Sequence, residues 1–209
     1  MEPPARPLRP GTLTTERLTL RPVRPGDAPA IEAMFHDPRV NRFLPARRRT
    51  ESGIDGVRRD RRVARLGSAV RFAIRTREHP RFIGTVMVFG IDRDSGRAEL
   101  GYALVRDAWG SGYASEAAGA VIDWAFSALR LHRLDANVAD RNLASVRVLR
   151  RLGFRAEGVR REAVLDGRRY ADLLEFGRTV SDRGPGAPSV RGGRPRPVPN
   201  PGRARRGAR

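Results

Sequence analysis

The sequence of 209 residues contains no cysteine. Disulfides, thiolate metal sites and a cysteine nucleophile are therefore excluded. It contains no lysine either, so every one of its 42 cationic side chains is arginine. Histidine is scarce: His36, His79 and His132 are the three present and they lie far apart in the chain. A histidine metal cluster is not expected, and no metal is. No apolar run approaches the roughly 18 residues that a membrane span requires. The opening stretch, MEPPARPLRPG, lacks the apolar segment of a signal peptide. The expectation is a cytoplasmic chain with no membrane partner.

What is abundant is positive charge. The formal net charge is +19, of which residues 181–209 supply +7 and the first eleven residues +1, leaving +11 for residues 12–180. One account is a compositional bias toward arginine and alanine; the other is affinity for polyanions or acidic ligands, which a basic field favours. Aromatic residues are only 6% of the chain, and no arginine-rich helix interleaves with them as a base-reading surface would. Charge alone does not make this a nucleic-acid-binding protein. A ribosomal or other polyanion contact through the basic tail stays open as a partner.

The length suits one domain with a full core or two small ones. The tail from Ser181 is rich in Pro, Gly and Arg with almost no apolar residue, and such a segment cannot bury enough surface to offset its ordering entropy. Residues 181–209, like residues 1–11, are expected to be disordered, and residues 12–180 to form the ordered domain. Within it, ERLTLRPV (16–23) alternates apolar and polar residues as a strand does. Asp27 is expected to cap a helix, DAPAIEAMF, that ends before Asp37-Pro38. An arginine-rich helix is expected near 51–66. Three strands follow, at 69–76, 82–92 and 97–105, joined by hairpin-like turns. A helix running from Gly112 to about Leu129 places Ala114, Ala118, Val121, Ala125 and Leu129 on one face. A strand at 132–140, a helix at 142–152 stopped by Gly153, and a hairpin about Asp166-Gly167 complete the pattern. A run of antiparallel strands followed by β-α-β-α-ββ reads as α/β with a mixed sheet.

One stretch bears directly on chemistry. The strand ELGYALV runs into VRDAWGSGYASEAA, where Gly110 and Gly112 separate the strand from an alanine-rich helix. A turn of this kind bares several main-chain N–H groups at a helix end that carries about half a positive charge. That suits a phosphate or pyrophosphate, although a tight turn with no ligand is also consistent with two glycines alone. A dinucleotide fingerprint fits poorly, because Ser115 stands where the third glycine belongs and Asp135, the acid at the expected distance, lies inside a strand pattern. The lysine of a P-loop is absent.

ELGYALVRDAWGSGYASEA, followed by VIDWAFSALRLHRLDANVADRNLASVRVLRRLGFRAEG, resembles the GNAT acetyltransferase superfamily, and within it the RimJ/RimL branch of ribosomal-protein-alanine N-acetyltransferases. The resemblance rests on WGxGYAxEA, then N-x-x-S, then LGF followed by EG, and it runs from TERLTLRPVRPGD to GRRYADLLEF. Asp107 stands where the broader superfamily has Gln or Arg, as is common in the RimJ/RimL branch. The resemblance implies a single-domain GNAT fold, with a mixed and mostly antiparallel sheet flanked by helices. It implies acetyl-CoA as donor, with no metal. The main chain of Leu104 and Val105 would pair with the pantetheine, and the amides of Gly110, Ser111, Gly112, Tyr113 and Ala114 would hold the pyrophosphate. Arg106 is a further phosphate candidate, or a solvated arginine.

Asn142 and Ser145 match the N-x-x-S pattern; Asn142 reads equally as a helix N-cap. By resemblance Ser145 would hydrogen-bond the cofactor sulfur and protonate the departing thiolate. Leu149 occupies the position of a tyrosine acid used by many members, which excludes that acid here. Glu99 matches the glutamate of ELGY and would take the amine proton through water, or would be an edge-strand carboxylate paired with arginine. Glu116 reads as a brace of the first helical turn, Trp109 and Tyr113 as packing, and Asp172 as an acidic position of the last hairpin. An α-amine, with a pKa of about 7.7–8.0, is roughly one-tenth neutral at pH 7, whereas a lysine near about 10.4 is almost wholly charged. A weak or indirect base therefore serves an N-terminal amine most easily. The implied reaction is acetylation of a protein N-terminus. A small amine acceptor (an amino acid, an antibiotic or a polyamine), a non-catalytic acyl-CoA-binding protein and a polyanion-binding protein are the alternatives. Monomer and homodimer are both open.

Overall fold

The computed structural model of the chain describes residues 7, 8, 10–43, 52–166 and 169–182. Alternating and continuous apolar strand segments build most of it. Strands β1 (Leu13–Thr14), β2 (Leu18–Pro22), β3 (Ala69–Thr76), β4 (Phe82–Asp92) and β5 (Arg97–Leu104) form an antiparallel run. Strands β6 (Arg133–Ala139), β7 (Arg155–Asp166) and β8 (Arg169–Thr179) complete one sheet of eight strands in the order β1-β2-β3-β4-β5-β6-β8-β7. The pairing is antiparallel throughout except between β5 and β6. This is the GNAT fold expected from the sequence, a mixed sheet in a single domain.

Helices cover both faces. Helices α4 (Tyr113–Ala128) and α5 (Leu143–Arg151) pack on one face, where Ala117, Ala118, Val121, Ile122 and Ala125 of α4 and Leu149 of α5 join the fully buried Leu18, Leu20, Phe72, Ile83, Val86 and Leu134. Phe72 meets the Trp124 ring edge-on at 5.3 Å, a geometry that favours aromatic pairs. On the other face α1 (Ala28–His36), α2 (Pro38–Asn41) and α3 (Gly53–Arg65) bury a smaller cluster that includes Ile31, Phe35, Val57 and Ala73. Arg71 reaches up from β3 and fixes α3 through Asp60, with its Nε 2.6 Å from Oδ2 and both side chains buried. Among the described residues, no helix is long and apolar enough to cross a membrane.

Three expectations change on contact with the fold. Asp27 does not cap α1 through its side chain. Its carboxylate is taken by Arg21, at 2.7 and 2.8 Å, and by the Arg24 N–H at 2.8 Å, because β2 places a guanidinium within reach and a bidentate ion pair outcompetes a single cap bond. Ala114 and Leu129 are half-buried, and the α4 core face is centred instead on Ala117, Ala118 and Val121. Strand β7 begins at Arg155, earlier than the hairpin signal suggested. The turn of that hairpin, Gly167 and Arg168, lies outside the described residues, as do residues 1–6, Arg9 and residues 183–209 of the ends expected to be disordered. Leu8, within the first eleven residues, is buried and its N–H reaches Ala64 O at 2.9 Å.

Candidate active site at the split between β5 and β6

The parallel pair β5–β6 is joined only at Arg97↔Arg133, Ala98↔Leu134 and Glu99↔Asp135. Beyond Glu99, β5 stays with β4 as far as Gly84↔Leu104, while β6 stays with β8 as far as Ala139↔Leu173. The two strands therefore part, and one edge of β5 is left open inside the sheet. Main-chain direction alternates along a strand. The Val105 N–H points to β4, donating to Ile83 O at 3.0 Å, so the main-chain groups of Tyr102 and Leu104 are the ones that face the split. This corrects the expectation for Val105: its N–H is spent on β4, and its carbonyl accepts from Ala108 N–H at 3.0 Å. Leu104 does face the split, but its carbonyl is held by the Trp109 indole N–H at 3.0 Å. Its N–H has no acceptor among the described residues.

Gly110 and Gly112 have φ of 76° and 79°, a left-handed conformation that costs other residues about 1–2 kcal/mol. The two reversals aim the chain into α4. Among the described residues, the six amides from Gly110 to Ser115 find no acceptor in the protein; the first bond of the helix is from Glu116 N–H to Gly112 O, at 3.1 Å. Arg17, from the turn before β2, holds this loop from outside. Its Nη1 donates to Ser111 O at 3.0 Å, its Nε to Glu116 Oε2 at 2.7 Å, and its guanidinium lies 4.6 Å from the Tyr113 ring centroid. Glu116 also accepts from Thr15 Oγ1 at 2.6 Å and Arg17 N–H at 2.9 Å. Burial alone would raise its carboxyl pKa, but the bonds from Thr15 and Arg17 hold it below the usual value.

Across the split stands α5. Asn142 is its N-cap, Oδ1 accepting from Ser145 N–H at 3.2 Å. The Ser145 hydroxyl meets the phenol of Tyr102 at 2.8 Å. A cavity of about 350 Å³ fills the space between, lined by Tyr102, Leu104, Trp109, Gly110, Gly112, Tyr113 and Ala114 on one side and by Asn142, Ser145, Arg147 and Arg151 on the other. Of the residues singled out for the donor, Leu104, Gly110, Gly112, Tyr113, Ala114, Asn142 and Ser145 thus meet in one place. Ser111, Val105 and Arg106 are not among the residues that line the cavity. Leu149, at 1% exposure, belongs to the core.

Glu99 lies elsewhere. Side chains alternate along β5, so Tyr102 and Glu99 point to opposite faces, and Glu99 does not line the cavity. It sits at the closed end of the split, beside Asp135. Burial pushes its carboxyl pKa up; a hydrogen bond from Asn137 works against this, and the neighbouring Asp135 charge adds to the rise. Asp172 holds a bulge: its Oδ1 accepts from the Glu162 N–H at 2.9 Å, where Glu162 has a φ of 51°. Among the described residues no cluster of His, Cys, Asp and Glu could hold a metal ion.

The split, the bare glycine turn and the facing helix coincide with a family match. Residues 17–155 match the Acetyltransferase (GNAT) domain. The chain belongs to the GNAT acetyltransferase family. Among its relatives, an uncharacterized N-acetyltransferase, p20, of Bacillus licheniformis is 36% identical over 167 residues, covering 79% of this chain and 94% of that protein. RimJ of Mycobacterium smegmatis, solved in complex with CoA-disulfide, aligns at a TM-score of 0.72 with 25% identity, over 81% of this chain and 86% of its own. Spermidine N-acetyltransferase of Vibrio cholerae shares the fold at a TM-score of 0.73 with 22% identity, over 80% of this chain and 98% of its own. The chain is an N-acetyltransferase.

Three residues of this acetyltransferase escaped the sequence reading. Tyr102 was visible as the last letter of ELGY, but its meeting with Ser145 joins positions 43 residues apart. Arg17 is one of many arginines, and only the fold brings it to Glu116 and Ser111. Trp109, which the sequence alone assigns to packing, is a hydrogen-bond donor to the open edge of β5.

Proposed function

We propose that this acetyltransferase takes acetyl from acetyl-CoA and transfers it to the α-amino group of a protein or peptide N-terminus. The observation that carries the donor side is the set of unpartnered amides at the mouth of the cavity: from Gly110 to Ser115 six N–H groups of the turn and helix start have no acceptor among the described residues, and the Arg17 guanidinium stands beside the same turn, which suits a pyrophosphate. The open Leu104 N–H continues that line toward Ser145. The donor supplies an acetyl group activated as a thioester. Leu104 and the loop amides hold the donor along β5, and the Ser145 hydroxyl lies where it can hydrogen-bond the sulfur. Glu99 acts from the opposite face and takes the ammonium proton through water. Its raised pKa keeps it a better base than an exposed carboxylate, yet still a weak one. A weak base favours an acceptor that is already partly neutral at pH 7, as an α-amine is and a lysine side chain is not.

The RimJ relative, with its bound CoA-disulfide, supports the donor. The arginine-rich tail, outside the described residues, is proposed as a polyanion contact in addition. The test incubates the full chain with acetyl-CoA and three acceptor sets: peptides with free N-termini, N-blocked lysine peptides, and small amines including spermidine. Thiol release and product mass are read together. Mass gain on α-amines alone is the expected result. Gain on spermidine alone overturns the acceptor assignment and leaves the donor side intact.

A further inference from the structure

Ser145 is the third residue of α5, a position where a serine hydroxyl commonly bonds its own helix backbone. It does not do so here. Among the described residues, the sole partner of its Oγ is the Tyr102 phenol, at 2.8 Å. The phenol also lies 3.3 Å from Ser145 O, beyond the usual range for an O–H···O bond, so the contact with Oγ is the principal one. The serine backbone is fixed as well, by the bond from Ser145 N–H to Asn142 Oδ1. Both residues line the cavity.

We propose that Tyr102 is a positioning residue, whose phenolic O–H donates to Ser145 Oγ and so leaves the serine's single proton to hydrogen-bond the thioester sulfur. The proposal rests on the reading of this cavity as the donor site. A hydroxyl has one proton, and its direction is set by which of two facing hydroxyls donates to the other. A phenol is far more acidic than an alkanol and is the better donor. Burial pushes the Tyr102 pKa up to about 12, with the Ser145 bond only partly opposing it, so the phenol stays protonated at any working pH and never becomes the acceptor by ionising. As the amine nitrogen bonds to the carbonyl carbon, the C–S bond breaks and its electron pair stays on sulfur. The amine proton goes to water on the Glu99 side, and Ser145 donates a hydrogen bond to the sulfur while keeping its own proton. The charged groups that line the same cavity are Arg147 and Arg151.

The test compares the full chain with Tyr102→Phe, Ser145→Ala and the double variant. Two quantities are read: kcat and KM for acetyl-CoA with an α-amine peptide, and the thiol pKa of bound CoA, followed by thiolate ultraviolet absorbance. Each single variant is expected to lower kcat about tenfold with KM within about twofold, and to raise the bound thiol pKa by about half a unit to one unit. The double variant is expected to match the worse single variant, since the two residues act through one hydrogen bond. The proposal is overturned if Tyr102→Phe leaves both quantities unchanged and lowers only the melting temperature, or if the two effects multiply. A wild-type chain that shifts the CoA thiol in a Tyr102-dependent way but acetylates no amine supports the Tyr102 role and removes the proposed acceptor. A chain that binds no CoA removes both readings.

Discussion

Replacing Arg17 by alanine should loosen the glycine turn without unfolding the domain. Arg17 spans three groups of the loop: Ser111 O, the Glu116 carboxylate and the Tyr113 ring. Its side chain is 45% exposed, so solvent screening limits the ion pair to about 0.5–1 kcal/mol. Glu116 is not orphaned by the change, because Thr15 Oγ1 and the main-chain N–H of residue 17 still donate to it. A loss of about 1 kcal/mol in stability follows, or about 2–4 °C in melting temperature for a chain of this size. Binding should suffer more than folding does. Without the tether at Ser111, the amides from Gly110 to Ser115 must be ordered when a pyrophosphate arrives, and about 1 kcal/mol of ordering weakens CoA binding about fivefold.

Calorimetric titration of CoA, beside thermal melts of the free protein, measures both effects. Arg17 is not among the residues that line the cavity, so the share of the loss carried by its bond to Ser111 O should persist at high salt, and only the share carried by the exposed Glu116 pair should shrink. A directly bound cation would instead lose its advantage as salt rises. Arg17→Lys keeps the charge but cannot reach Ser111 and Glu116 together, and should resemble the alanine variant. An unchanged CoA affinity with a lowered melting temperature would refute the reasoning, and so would an affinity loss that disappears in salt.

Glu99→Gln should lower kcat/KM at least tenfold at pH 7 and flatten the acidic limb of its pH profile, measured with an α-amine peptide. The same change should stabilise the fold at neutral pH. Because the folded pKa of Glu99 lies above the unfolded value, its contribution is favourable below the unfolded pKa and is lost as pH rises through the folded one. Melting temperatures of the two forms should converge as pH falls toward the carboxylate range. Asp27 has the opposite sign: burial would raise its pKa, but the Arg21 bonds and the Arg24 N–H leave it lowered. Its stabilisation is present above the unfolded pKa and fades as pH drops through the folded one. Asp27→Asn should cost about 3 kcal/mol at pH 7 by denaturant unfolding, with the loss shrinking in acid. Gly112→Ala must adopt a φ of 79° and brings a Cβ to 3.4 Å from Arg17 Nη2. It should weaken CoA binding by at least threefold in the same titration, at a stability cost of about 1–2 kcal/mol.

What the sequence made legible was local. Alternation located β2, strand-like runs between turns located β3 to β5, the two glycines marked the start of α4, and Asn142 marked the start of α5; each signal is carried by neighbours within a few residues. The family resemblance then supplied the assembly. What stayed hidden was long-range. Asp27 was read as a cap because nothing local announces that Arg21 will face it across the turn. Val105 was read with Leu104 because main-chain direction depends on which β4 residue it pairs with, and the Ile83 bond settles that only in the fold. Arg17 could not be told from the other arginines until Glu116 stood beside it.

The arrangement of the candidate site follows from one property of β5. Glu99 and Tyr102 are three residues apart, an odd spacing, so the strand presents a carboxylate to one face and a phenol to the other. In an intact sheet the two faces are sealed from each other by the next strand. Here the partner strand is lost just past Glu99↔Asp135, so beyond that pair no strand seals the two faces from each other. On the proposed reading, a thioester at the split would receive an amine from the Glu99 face while its sulfur stays on the Ser145 face. On the proposed roles of Glu99 and Ser145, a change that restored β5–β6 pairing beyond Glu99 should abolish transfer, because the proposed base and hydrogen-bond donor would no longer share a substrate. The proposed chemistry therefore depends on the split as much as on the residues along it.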